Sequence, residues 1–202
     1  LEYDDVMNSQ REVIYKRRKH ALFGERLSVD IANMMRDVSE ALVGNYQDSY
    51  DFEGFKFELI RSLSIDSPVG EEEFLKVDAS EIVEKIYNIA WDSYKRKEEA
   101  IAAQAFPVIK EVYEKHSHQY ENIVVPITDG TRTIQVVTNL KNAYESEGRE
   151  LVKSYQKNVI LSTIDEAWKE HLREMDDLKQ SVQTATYEQK DPLLIYKFEA
   201  FE

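Results

Sequence analysis

The chain has 202 residues, of which 42% are hydrophobic and 32% charged, enough for one or two helix-rich domains with a real core. Its formal net charge of -13 argues against nucleic acid as the primary partner, because phosphate binding rests on clustered Lys and Arg. The absence of Cys excludes disulfides, thiolate catalysis and Cys-based zinc sites, and no apolar run approaches the ~20 residues that span a bilayer. Leu1 lies inside a predicted helix, so we expect a segment of a longer protein.

Residues 1–46 predict one long helical element, because they lack proline and keep apolar residues at helical spacing. Gly24 and the candidate N-cap Ser28 mark positions where this element could kink or break. A basic cluster at residues 16–20 lies on the same element. We interpret it as a solvated helix face in preference to a contact with an acidic partner.

Residues 47–103 predict a small helical subdomain. Apolar residues between 52 and 63 indicate a short helix, and a turn follows around Pro68 and Gly70. Asp78 is a candidate N-cap for a long helix, which Pro107 should kink or end. Three consecutive glutamates at 71–73 could suggest a cation site, but we expect them to face water.

The hydrophobic period changes within residues 104–150. Two β-rich runs, 123–127 and 131–137, flank an Asp129-Gly130 pair of the kind that favours tight hairpin turns. We predict a small β-hairpin near 123–137 that packs on a helix, because a lone hairpin is marginally stable. The helical pattern resumes near Asn139, and Gly148 is a candidate interruption.

Residues 151–202 predict an antiparallel pair of helices. Apolar residues recur at spacings of three and four, which indicates one buried face on a long helix. They are Ile160, Ile164, Trp168, Leu172, Met175, Leu178 and Val182. We expect Trp168, Leu172 and Met175 to pack inside the pair. Asp191-Pro192 suits the start of the return helix, and Tyr187 lies at the exposed tip between the two helices.

The common catalytic motifs are missing from this sequence. It contains no Walker A loop, no His-Glu-x-x-His and no Gly-x-Ser-x-Gly. His116 and His118 are two residues apart, which places them on different faces of a helix and makes them a poor metal pair. The residues alone therefore predict an acidic helical interaction module without its own catalysis. Two alternatives stay open: a stand-alone helical adaptor that binds a partner protein, and a metal-dependent hydrolase that uses the two histidines with acids.

Several short stretches carry a more specific pattern. They are Leu1-Glu2-Tyr3-Asp4-Asp5-Val6-Met7-Asn8, Gln10-Arg11-Glu12-Val13-Ile14-Tyr15, Tyr94-Lys95-Arg96-Lys97-Glu98-Glu99, Trp168-Lys169-Glu170-His171-Leu172, and Tyr187 with Gln189-Lys190-Asp191-Pro192. In this order they resemble the helical scaffold and helical wing of the SecA family of bacterial preprotein translocase ATPases. The resemblance implies a mainly α fold with four parts: a long scaffold helix (1–46), a helical wing (47–103), an inserted segment with the β-hairpin (104–150) and a two-helix finger (151–202).

The resemblance also implies a function for the finger. In this family it enters the cytoplasmic mouth of the SecY channel (SecYEG), contacts the translocating preprotein and restrains the ATPase. Tyr187, Gln189 and Lys190 would then be the fingertip contacts with substrate and channel, and Trp168, Leu172 and Met175 would pack the finger. An aromatic side chain suits sequence-independent gripping, because its ring packs on many side chains.

The same resemblance places the ATP and Mg²⁺ site in motor domains outside this chain, so the fragment itself would hold no cofactor or metal. It implies contacts with the chain's own motor and preprotein-binding domains, and it allows a homodimer of the full-length protein. The expected location is cytoplasmic, peripherally attached to the inner membrane through the channel.

Two stretches depart from the family pattern. The family usually has Gly-Ile-His-Leu-Arg-Gly before the fingertip Tyr, whereas residues 181–186 are Ser-Val-Gln-Thr-Ala-Thr. The loop has therefore lost an Arg and its glycines, and we expect it to be less flexible. Residues 104–150 match no part of the pattern, and we interpret them as an insertion whose default role is structural.

Overall fold

The computed structural model describes residues 2–23, 26–184 and 191–200. These residues are mainly α-helical with one small β-hairpin, which confirms the predicted fold class. The chain divides into two compact units. The first unit comprises residues 1–26 and 155–202, and the second comprises residues 27–154. Within the described ranges, no helix is both long and apolar enough to cross a membrane.

The first unit is built from three helices. They are α1 (Glu2–Phe23), the part of α7 (Arg149–Thr184) that begins at residue 155, and α8 (Pro192–Glu199). One buried cluster, drawn from all three helices, forms its core. The second half of α1 is largely exposed, including its apolar residues Val13, Tyr15 and Phe23.

The second unit begins with helices α2 (Leu27–Gln47), α3 (Phe52–Leu63), α4 (Glu71–Lys76) and α5 (Ala79–His116). Three phenylalanines pack within its largely aliphatic core: the rings of Phe55 and Phe74 stack with centroids 4.3 Å apart, and the Phe52 centroid lies 5.4 Å from that of Phe74. Asp51 and Asp78 are N-caps, since their carboxylates accept hydrogen bonds from the amides of Gly54 and Ser80. The N-cap predicted at Asp78 is confirmed.

The predicted hairpin follows α5. Strands β1 (Asn122–Thr128) and β2 (Thr133–Asn139) are antiparallel, with Val125 opposite Val136 and Thr128 opposite Thr133. In the turn, the Asp129 carboxylate accepts hydrogen bonds from the amides of Thr131 and Arg132. Val136 and Thr138 of β2 are buried, and Ser154 Oγ on α7 donates to Thr138 Oγ1 at 3.2 Å, so the hairpin packs on a helix as predicted.

Helix α6 (Leu140–Glu145) follows the hairpin, and a tight turn at Gly148 separates it from α7. This turn confirms the predicted interruption. Gly148 has φ +88°, and a Cβ atom there would lie 2.6 Å from the carbonyl oxygen of Ala102 on α5. Only glycine fits this backbone conformation and this close approach. The turn therefore places the start of α7 beside α5.

One sequence expectation differs from the structure. Helix α5 runs without a break past Pro107, so the prediction that this proline could end the helix is wrong. A proline removes only one backbone hydrogen bond, and buried residues on either side, Ala102 and Ile109, hold this part of α5 in place. Residues 1–46, predicted as a long helical element that could kink or break at Gly24 or Ser28, are described as the two helices α1 and α2. Gly24, the predicted break point, lies outside the described residues.

Candidate functional site

The candidate site is the segment between α7 and α8 together with the helices that carry it. The predicted contact residues Tyr187, Gln189 and Lys190 lie outside the described residues. The structure does describe the helices on both sides, which end at Thr184 and begin again at Pro192. These helices and the start of α1 form what we call the finger base.

The finger base is a compact apolar cluster. Its buried members come from all three helices of the first unit: Val6 from α1, Met175 and Val182 from α7, and Tyr196 and Ala200 at the end of α8. Tyr3, Met7, Leu178 and Ile195 are half-buried around them. Because α8 has only eight residues, it is too short to be stable alone, so this cluster must hold it.

Tyr196 is the centre of the finger base, with 1% of its surface exposed. The ring of Tyr3 meets it edge to face, with centroids 4.8 Å apart, and Lys179 Nζ lies 5.3 Å from the Tyr3 ring. Burial raises the pKa of the Tyr196 phenol, and the negative charges of Asp176 and Asp4 raise this pKa further. The phenol is therefore held neutral, and its ring anchors α8 against α1 and α7.

The start of α8 is fixed by its own sequence. The Asp191 carboxylate accepts a hydrogen bond from the amide of Leu193 at 3.0 Å, and Pro192 occupies the first turn of the helix. Proline costs nothing at this position, because the amide it lacks would have no partner inside the helix. The Asp-Pro start predicted for the return helix is confirmed.

A polar chain crosses the other side of the finger base. The Gln10 side-chain amide donates from Nε2 to the carbonyl oxygen of Ala200 at 2.7 Å. The Oε1 atom of Gln10 lies 2.9 Å from Nε2 of His171. The His171 ring in turn stacks on Trp168, with centroids 5.5 Å apart. The Gln10 side chain on α1 thus bonds both to His171 on α7 and to the end of α8.

An ion pair joins α1 and α7 farther along the first unit. Arg18 Nε donates to Asp165 at 2.9 Å, and a second guanidinium nitrogen donates at 3.2 Å. This hydrogen-bonded pairing lowers the pKa of Asp165 and raises that of Arg18. Both side chains are more than 40% exposed, so the pair contributes little to stability.

The three predicted packing residues differ in burial. Met175 is buried in the finger base, whereas Trp168 and Leu172 are half-buried on α7. No sequence pattern indicates the role of Gln10, because a polar residue among exposed neighbours leaves no hydrophobic period. The pairing of Tyr3 with Tyr196 joins residues far apart in the chain, which periodicity cannot reveal.

Other candidate sites in the second unit have simpler explanations. Glu72 pairs with Lys76 at 2.5 Å, and Glu73 pairs with Lys85, so these carboxylates contact lysines. The His116 ring lies 6.2 Å from the ring of Tyr120. Across the part of the chain that the structure describes, no group of three or more His, Cys, Asp or Glu is arranged to hold a metal ion.

Known proteins match this chain over its whole length. The family described as the SecA Wing and Scaffold domain matches residues 1–202. Protein translocase subunit SecA from Christiangramia forsetii is 59% identical over 202 residues, and the proteins of the same name from Flavobacterium psychrophilum and Porphyromonas gingivalis are 56% and 52% identical. Each match covers 100% of this chain and 18% of the relative, so the chain spans less than a fifth of their length.

Proposed function

This chain belongs to the SecA Wing and Scaffold domain family, and from that premise we propose that it couples the motor of a protein translocase to its channel and substrate. The chain would supply the scaffold (1–46), the wing (47–103) and the two-helix finger (151–202), with residues 104–150 inserted between wing and finger. ATP and Mg²⁺ would bind in motor domains that precede these parts in the full-length protein.

The proposed partners follow from the same assignment. They are the SecY channel, the translocating preprotein, and the motor and preprotein-binding domains of the same polypeptide. The protein would work in the cytoplasm and reach the membrane through the channel. The relatives are named translocase subunits, which supports the general role, while the individual partners remain our proposal.

The finger base is the observation that carries this proposal. A segment that pushes on another chain must transmit force to its own domain, and an unsupported loop cannot do so. Here Tyr196 and Asp191 fix α8 on one side of residues 185–190, and Val182 is buried on α7 on the other side. Both ends of the proposed fingertip are therefore anchored on packed helices.

We propose that Tyr187 is the fingertip aromatic and that Gln189 and Lys190 contribute polar contacts with channel or substrate. The loss of the family's Arg and glycines between residues 181 and 186 reduces the number of charged contacts available before the tip. The aromatic ring therefore becomes the principal contact in this version of the loop.

The test is a set of substitutions in the full-length protein, assayed by transport of a preprotein into membrane vesicles. Tyr187→Ala should abolish most transport and leave the melting temperature unchanged, whereas Tyr187→Phe should keep most transport because it keeps the ring. Tyr120→Ala, at an exposed tyrosine of the second unit, is the matched control and should have no effect. Normal transport by Tyr187→Ala, or a sharp fall in its melting temperature, would refute the fingertip assignment.

The adaptor alternative makes a different prediction about the neighbouring sequence. A stand-alone adaptor needs no ATP-binding domain in the same polypeptide, whereas a translocase motor requires one. A Walker A motif upstream of residue 1 would therefore exclude the adaptor, and a complete polypeptide without one would exclude our proposal.

A further inference from the structure

We propose that Gln10 is a positioning residue that fixes the end of α8, the return helix of the proposed finger, relative to α1 and α7. The starting observation is that its side-chain amide is used at both atoms. Nε2 donates to the carbonyl oxygen of Ala200, and Oε1 accepts from His171 Nε2. A carbonyl oxygen can only accept, so the amide has one orientation and His171 must carry a proton on Nε2.

The contact falls on the end of α8 that most needs a partner. The last carbonyl groups of a helix have no acceptor role inside it and require hydrogen bonds from elsewhere. Ala200 is the C-cap of α8, and its carbonyl oxygen receives the Gln10 amide at 2.7 Å. Asp191, the residue directly before α8, caps the first turn, whereas Gln10 on α1 caps the last one. The two ends of α8 are therefore fixed by different elements.

The apolar contacts of α8 do not supply the directional hydrogen bond that Gln10 supplies. Burial of Tyr196 and Ala200 holds the helix against its neighbours, but the hydrophobic effect that drives this burial is non-directional. A hydrogen bond from a half-buried side chain is directional, so it fixes the rotation and the axial position of a short helix. Gln10 therefore positions the C-terminal end of α8, while burial of Tyr196 keeps the helix docked.

The polar chain connects this position to α7. His171 is held by stacking on Trp168 and donates to Gln10, which donates to Ala200. A displacement of α7 relative to α1 would move His171, turn the glutamine amide and weaken the bond to α8. The consequence for transport rests on the proposed function, because it assumes that residues 185–190 contact the substrate.

The test compares two substitutions in the full-length protein by amide hydrogen exchange. Gln10→Glu keeps an acceptor for His171 and removes the donor to Ala200. It should speed exchange of the α8 amides about fivefold, the effect of one net hydrogen bond, and leave the melting temperature unchanged. Arg18→Ala is the control, because it also removes an α1–α7 contact but one that does not reach α8. It should leave α8 exchange at the wild-type rate.

Unchanged α8 exchange in Gln10→Glu, or equal acceleration by Arg18→Ala, would overturn the proposal. A photo-crosslinker at position 187 gives the second measurement, and its yield with a translocating preprotein should fall in Gln10→Glu but not in Arg18→Ala. If the wild-type probe at 187 contacts no substrate at all, the proposed function fails. The exchange result still decides the positioning role in that case.

Discussion

The side chain of Tyr196 gives the sharpest test of how the finger base is held together. Replacing a fully buried aromatic residue by alanine costs about 3–5 kcal/mol where the surroundings cannot collapse. Tyr196 is 1% exposed and also loses its edge-to-face partner Tyr3, an interaction worth about 0.5–1.5 kcal/mol by itself. Among the described residues the cluster has only five buried members, so it can partly close, and we expect the lower value.

A loss of about 3 kcal/mol corresponds to roughly a 150-fold shift in the equilibrium between docked and undocked α8. An eight-residue helix has no stability of its own to compensate. Hydrogen exchange of the full-length Tyr196→Ala protein should therefore show α8 amides near unprotected rates, while the second unit stays protected. Tyr196→Phe is the matched control and should retain most protection. Protected α8 amides in Tyr196→Ala would show that this ring is not the anchor.

Four further predictions concern stability. Gly148→Ala should destabilise the second unit by about 1–3 kcal/mol, because φ is +88° and the new Cβ would meet a carbonyl oxygen at 2.6 Å. Gly44→Ala, with nothing within 4 Å, should instead stabilise it by about 0.5–1 kcal/mol, and urea midpoints compare the two. Asp191→Ala should lower the free energy of opening α8, measured by amide exchange, by about 1 kcal/mol. Asp191→Asn should leave it unchanged, because Asn also caps helices. Burial raises the pKa of Tyr196 above its usual 10.0. The contribution of the neutral phenol to the free energy of unfolding should therefore be complete below about pH 10 and be lost as the pH rises further. Tyr196→Phe should not show this loss, because it has no group that ionises there.

Local patterns in the sequence predict much of this fold. The Asp78 and Asp191 caps, the Asp129-Gly130 turn and the break at Gly148 all depend on neighbouring residues, and the structure confirms each of them. These features need only backbone donors, a restricted φ or a missing Cβ, which are properties of the residue type. For the same reason the helices and the hairpin could be located along the chain.

The errors and gaps have a common physical cause, which is dependence on tertiary contacts. Pro107 removes one backbone hydrogen bond from α5, yet buried residues on both sides keep the helix continuous. Periodicity placed Trp168 on the same stripe as Met175, yet one is half-buried and the other buried. The Gln10 contacts join residues more than 150 positions apart, and no local pattern encodes them.

The central claim is that residues 185–190 form a fingertip that touches the channel and the moving chain. The most direct measurement is site-specific crosslinking from position 187 in the full-length protein, with a stalled preprotein in the SecY channel. Our account predicts crosslinks to both the channel and the preprotein, with neither product from a probe at the exposed position 120. Crosslinks that form equally from both positions, or from neither, would contradict it.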